Sequence, residues 1–481
     1  MSPMNVVIAG YGMAGARLAD EMRTRDPLGE ATSITVIGAE PHHAYNRVLL
    51  SSVLAGSLRP SAVLLHDEKW ARAKGIDLRI GVGTTAIDPT ARTVTLTDGG
   101  TVGYDALVLA TGSRPWIPPV EGLTTDDGGL AEGALTLRTI DDCAQIRHRA
   151  KPGSPVAVLG GGVLGLEVAK GLAAIGATVT VVHPGDRVME RQLDARAARV
   201  LTRVLASHGI GFRIGDAAAR YVPGAGLKLG DGSHVEAATV IVSAGVRPET
   251  TLADSAGLLV GNGIVVDDAL RTSDGRIHAI GDCAQHPSAV AGLVQPAWEQ
   301  ASVLADLLTG TDGAARYRGS RVVTRLKARG IELTALGETC TDPDEPGAEV
   351  LTFDDPAGCR YAKLVLRENR VAGAILLGFP DAAATIAQLH DRGVPAHSDR
   401  LGLLLGRALP GGAPTASSPA GLPANALVCR CNSVSKSALV DAWRAGAADV
   451  AALRTATRAA TGCGSCADTV QGIADWLADS A

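Results

Sequence analysis

Residues 5–22 read NVVIAGYGMAGARLADEM, and residues 154–187 read SPVAVLGGGVLGLEVAKGLAAIGATVTVVHPGDR. Each is a short apolar β-rich run, a glycine turn and a helical pattern. The turns are Gly10-x-Gly12-x-x-Gly15 and Gly160-x-Gly162-x-x-Gly165. Such glycines let a strand turn sharply into a helix, bring backbone close to a pyrophosphate and seat the helix against the sheet. The helix N-terminus then offers free N–H groups and the positive end of its dipole to the phosphates. After the first unit a second strand, SITVIGAE, ends at Glu40, where an acid can accept from a ribose 2′-hydroxyl. Two such units predict two Rossmann-like, three-layer α/β domains and two dinucleotides, a hydride donor and a bound acceptor.

The second unit departs from the first at the ribose position. His183 stands where an acid is expected, and Arg187 follows. That pair is compatible with the 2′-phosphate of NADPH, but a histidine can also hydrogen-bond a 2′-hydroxyl. NADH and NADPH both remain open.

Composition excludes other classes. Aromatics are 3% of the 481 residues and the formal net charge is −5, which disfavours a nucleic-acid-binding surface. The N-terminal MSPMNVVIAGYG enters a strand directly, with no signal-peptide pattern, and no apolar run is long enough for a bilayer. Cys143, Cys283, Cys340 and Cys359 are scattered, so no secreted disulfide framework is expected. A cytoplasmic protein that binds neither membrane nor nucleic acid is the expectation.

Other cysteines are grouped. Cys429-x-Cys431 lies in LVCRCNSV, and Cys463-x-x-Cys466 lies in TGCGSC, with a helical stretch between. Four thiolates can hold zinc or an iron–sulfur cluster. Spacing alone leaves both open. With two dinucleotide turns upstream, a redox cluster is favoured. A Pro-, Gly- and Ala-rich run, 409–426, reads as a linker before this module. Residues 317–408 alternate like strands and close on a helical DAAATIAQLHDRG, which predicts a small α+β domain.

Further signals are YDALVLATGSRPWIPPVEG, with Thr111 and Gly112, and GRIHAIGDCAQ, with Gly281 and Asp282. VQPAWEQASVLADLLTG follows. Together with the two turns, they make residues 4–316 resemble the pyridine nucleotide–disulfide oxidoreductase superfamily. The resemblance implies FAD in the first unit, with Thr111, Gly112 and Asp282 as further flavin contacts. It also implies a helix from about 296 whose N-terminus faces the flavin. NAD(P)H would occupy the second unit, with Glu167 at the nicotinamide amide. The disulfide reductases of that superfamily carry a Cys-x4-Cys after the first acid. Here EPHHAYNRVLLSSVLAG has no cysteine, and Arg47 is instead a candidate to lie near the flavin. His42-His43 has no visible third metal ligand and reads as loop.

Residues 427–478 resemble the bacterioferritin-associated ferredoxin-like [2Fe-2S] domain. The resemblance implies ligation by Cys429, Cys431, Cys463 and Cys466. The expected domains are therefore 1–118 with 246–316 for FAD, 119–245 for NAD(P)H, 317–408, the linker 409–426, and 427–481 for the cluster. AYNRVLLSSVLAG, GGGVLGLEVAKGL and VMERQLD extend the resemblance. They match the N-terminal half of NAD(P)H-dependent nitrite reductase large subunits and the electron-transfer subunits of assimilatory nitrate reductases. Electrons are then expected to run from NAD(P)H to FAD, to the cluster, and to a separate subunit, a molybdenum-dependent assimilatory nitrate reductase. Nitrite reduction by this chain itself is not expected, because no further cysteine set follows. A reductase for ferredoxin or rubredoxin, and a zinc-stabilised flavoprotein with a docking module, are the alternatives.

Overall fold

The computed structural model describes residues 2–287, 290, 292–328, 330–406, 421–429, 432, 434–462, 464 and 466–479. They form two compact units. One comprises residues 1–48, 60–114 and 246–320, and the other 49–59, 115–245 and 321–481.

In the first unit a five-stranded parallel sheet runs in the order Ile277–Ala279, Ala106–Leu109, Met4–Ala9, Thr32–Gly38, Ile76–Ile80. The Met4–Ala9 strand is central, and Val6, Val7 and Ile8 are fully buried. A strand covered on both faces needs this continuous apolar run. Helices Met13–Arg25 and Val294–Thr309 pack on each other, and the indole N–H of Trp298 donates to Met13 O at 3.0 Å.

The second unit repeats the design. Its parallel sheet runs Ile210–Ile214, Thr178–His183, Pro155–Leu159, Thr239–Val242, Ala134–Thr136. The strand before the glycine turn is again central. The α/β class expected from the repeated pattern is the class observed.

Beyond it, five antiparallel strands run Val323–Ala328, Ile331–Gly337, Arg370–Leu377, Arg360–Arg367, Glu349–Asp355, with helix Pro380–Arg392 on one face. RENR, residues 367–370, is a tight hairpin, with Glu368 and Asn369 both at positive φ. This sheet is tied to the parallel-sheet part of its unit through Asp194. One carboxylate oxygen caps helix Ala195–Ser207 by accepting from Ala197 N at 2.9 Å. The other accepts from the Tyr361 hydroxyl at 2.7 Å and lies 3.4 Å from buried Lys363 Nζ. Last come helices Lys436–Arg444, Val450–Thr457 and Ala467–Asp479. The linker lies outside the described residues as far as 420. Among the described residues no helix is long and apolar enough to cross a membrane.

Candidate functional site

At Gly10, φ is +123° and a Cβ would stand 2.2 Å from Ala110 O, so only glycine fits. A Cβ on Gly15 would lie 1.9 Å from Gly10 O. Gly160, at φ +125°, and Gly165 repeat both restrictions, against Ser243 O and Gly160 O. Gly12 differs: a Cβ there would meet only Arg47, at 3.9 Å, and one on Gly162 would meet nothing within 4 Å. The middle glycines therefore border open space.

Capping is compatible with this. The helices after Gly12, Gly162 and Leu293 receive no side-chain cap hydrogen bond, as is also true of those after Leu49, Lys69, Thr250 and Phe379. At the two glycine turns no side chain competes with an anion for the first-turn N–H groups. Bare glycine above an uncapped helix fits a pyrophosphate at both turns. The uncapped N-terminus of Val294–Thr309 fits an electron-rich ring edge.

Around the first turn the structure brings together Gly12, Glu40 and Arg47. Glu40 pairs with the Arg47 guanidinium and accepts from the Tyr45 hydroxyl at 2.5 Å. Arg47 also lies over the Tyr45 ring, 5.1 Å from its centroid. Thr111 donates to Glu249 O at 2.8 Å, and Gly112 O accepts from Glu249 N at 2.9 Å. Asp282 accepts from Ser113 Oγ at 2.9 Å, and Gly281 N donates to the buried Gln300 side chain at 2.7 Å. Ser113 and Gln300 were not singled out from sequence. Tyr11, between two of the glycines, stacks beside His66 and Trp70, and its hydroxyl is 3.0 Å from His66 Nδ1. Burial drives the Tyr11 phenol well above its ordinary pKa, so it stays a neutral donor or acceptor. His42 packs edge-on to Tyr45. No group of three or more His, Cys, Asp or Glu that could hold a metal occurs among the described residues.

Around the second turn Glu167 is 6% exposed, on helix Val163–Ala174. Its carboxylate accepts from Ser51 Oγ at 3.0 Å. His183 closes strand Thr178–His183, and Gly161 N donates to its Nδ1 at 3.2 Å. Arg187 Nη1 donates to both Asp186 carboxylate oxygens, at 2.8 and 2.9 Å, and its Nε donates to Leu193 O at 3.1 Å.

Near the C-terminus Cys429, at the end of strand Leu427–Cys429, and Cys466, just before helix Ala467–Asp479, are buried, while Cys431 and Cys463 lie outside the described residues. The Asn432 amide donates to Cys429 Sγ at 3.4 Å. It also donates to Arg458 O at 2.6 Å. A Cβ on Gly464 would lie 3.5 Å from Leu49 Cδ2. Two buried thiols, one receiving an N–H, fit a sulfur-ligated cluster.

Comparison with known proteins agrees with this geometry. Residues 4–301 match the pyridine nucleotide-disulphide oxidoreductase family, 427–476 the BFD-like [2Fe-2S] binding domain, and 323–392 the rubredoxin NAD+ reductase C-terminal domain. The chain belongs to the pyridine nucleotide-disulphide oxidoreductase family and carries a C-terminal BFD-like [2Fe-2S] domain. It is an NAD(P)H-dependent oxidoreductase whose cofactors are FAD and a [2Fe-2S] cluster.

The nitrite reductase [NAD(P)H] of Bacillus subtilis (strain 168) is 34% identical over 98% of this chain and 58% of its own length. The assimilatory nitrate reductase electron transfer subunit of the same organism is 32% identical over 100% of this chain and 60% of its own. The chain thus spans less than two thirds of either relative. Among solved structures, the covalent putidaredoxin reductase–putidaredoxin complex superposes with a TM-score of 0.74 and 27% identity. It covers 84% of this chain and 96% of that one.

Proposed function

We propose that this chain is the electron-transfer partner of an assimilatory, molybdenum-dependent nitrate reductase, oxidising NAD(P)H on its behalf. The observation that carries the reading is the likeness, over 100% of this chain and 60% of the relative, to a protein named assimilatory nitrate reductase electron transfer subunit. Two open glycine turns and a BFD-like domain in one polypeptide support it. When bound, FAD accepts an electron pair from NAD(P)H and releases electrons singly to a [2Fe-2S] cluster.

The chain's own residues divide the remaining work. Gly10, Gly12 and Gly15 admit the FAD pyrophosphate, Glu40 accepts from its ribose, and Arg47 sets a positive charge beside Gly12. Thr111, Gly112, Gly281 and Asp282 line the rest of that site. The N-terminus of helix Val294–Thr309 stabilises negative charge on the flavin's pyrimidine edge. Gly160, Gly162 and Gly165 admit NAD(P)H, with His183 and Arg187 near its ribose. Glu167, held by Ser51, orients the nicotinamide amide. Cys429, Cys431, Cys463 and Cys466 hold the cluster.

The test is co-purification of the native partner followed by nitrate-dependent NAD(P)H oxidation. Cys466→Ser should keep NAD(P)H-driven bleaching of the flavin and abolish nitrate-dependent turnover. Capture of a ferredoxin or rubredoxin, with no nitrate dependence, would replace this reading. The match of 323–392 to a rubredoxin reductase domain makes that the second reading.

A further inference from the structure

The ribose end of the second turn lacks the acid present in the first, yet the fold returns a carboxylate to it. His183 Nδ1 accepts from Gly161 N–H, so the neutral ring carries its proton on Nε2. That Nε2 is buried and has no hydrogen-bond partner. Glu190 Oε2 lies 3.7 Å from it, beyond direct hydrogen-bond reach. Both groups stand over Gly185: a Cβ there would meet Glu190 Oε2 at 2.2 Å and His183 Nε2 at 2.8 Å.

The loop that bears Glu190 is anchored to the same turn. Met189, at φ +49°, donates its N–H to Gly161 O at 2.9 Å. Arg187 grips the loop's carbonyls, Leu193 O from Nε at 3.1 Å and Glu190 O from Nη2 at 3.5 Å. Its charge is balanced by Asp186, which it meets through both carboxylate oxygens.

We infer that Glu190, seven residues beyond the strand end, replaces the missing acid and, with His183 Nε2–H, selects NADH over NADPH. This rests on the reading of 160–165 as the nicotinamide-dinucleotide turn. A 2′-hydroxyl both donates and accepts, so it satisfies a carboxylate and an imidazole N–H together. A 2′-phosphate can only accept and is repelled by the carboxylate. Arg187, the residue that would favour the phosphate, is a positioning residue for the Glu190 loop.

The experiment uses oxidised full-length holoprotein and measures equilibrium binding of NAD+ and NADP+ by calorimetry, without turnover. The wild type should bind NAD+ at least roughly tenfold tighter, and Glu190→Gln should erase most of that ratio while leaving flavin content unchanged. Arg187→Ala should weaken NAD+ without a selective loss of NADP+. Tighter NADP+ binding by the wild type, or a loss confined to NADP+ in Arg187→Ala, overturns the inference. Equal ratios in wild type and Glu190→Gln overturn it alone, with the dinucleotide turn intact. If neither nucleotide binds and Gly162→Val changes nothing, the assignment of the turn falls and this inference falls with it.

Discussion

Ser51 donates to Glu167 across 3.0 Å, although 116 positions separate them in the chain. The approach is possible because Gly171, on the Glu167 helix, has no side chain. A Cβ there would already be 3.4 Å from Ser51 O and 3.5 Å from Ala55 Cβ. Ser51 and Glu167 are 5% and 6% exposed, so the carboxylate has little water to fall back on. Removing one partner of a buried hydrogen bond costs about 1–3 kcal/mol. Ser51→Ala should therefore destabilise by that order and slow NAD(P)H-dependent flavin bleaching in stopped flow. Ser51→Thr, which keeps the hydroxyl, should recover most of the rate. Equal rates in wild type and Ser51→Ala would remove Glu167 from the nicotinamide site.

The glycines separate folding from binding. Gly10→Ala sets a Cβ against Ala110 O and strains φ, so it should lower soluble yield and the thermal midpoint. Gly12→Val faces open space beside Arg47, so the fold should persist while the pyrophosphate is excluded. Far-ultraviolet circular dichroism and flavin content per chain distinguish the two. A yellow, fully loaded Gly12→Val protein would contradict the placement of FAD at this turn.

Local pattern carried the architecture and none of the long contacts. Gly10 and Gly160 were readable because a strand-to-helix turn leaves glycine no substitute. Ser51 had no signal, since its partner is set by packing between a five-residue helix and a distant one. Glu190 was missed for a different reason. The expected acid was sought at the strand end, whereas the loop folds back over Gly185. His183 and Arg187 were both noticed, but only geometry shows the arginine committed to Asp186.

Asn432 gives a prediction for the cluster. Its amide N–H donates to Cys429 Sγ at 3.4 Å while the same nitrogen holds Arg458 O. N–H groups aimed at ligand sulfur offset its negative charge and ease reduction. Asn432→Leu should shift the cluster's potential to more negative values in a redox titration followed by electron paramagnetic resonance. Iron content should stay near that of the wild type, and flavin bleaching by NAD(P)H should be unaffected. An unmoved potential would mean that the amide serves to hold Arg458 and Thr461 rather than to tune the sulfur.

His278 sets a pH limit on the first unit. It sits on strand Ile277–Ala279, 7% exposed, and its Nδ1 is buried without a partner. Burial pushes its pKa down to about 4 from an ordinary 6.5, with Arg271 lowering it further and Asp267 opposing. The unfolded chain binds this proton more readily, so the neutral ring's contribution is complete above pH 6.5 and is lost as pH falls to about 4. A shift of this size corresponds to about 3 kcal/mol. Carboxylates titrate in the same range, so the comparison is with His278→Gln, which has no proton to gain. Thermal unfolding of the full chain should show the wild type losing stability more steeply than His278→Gln between pH 6.5 and 4. Parallel curves would show that this buried imidazole does not limit the unit's acid stability.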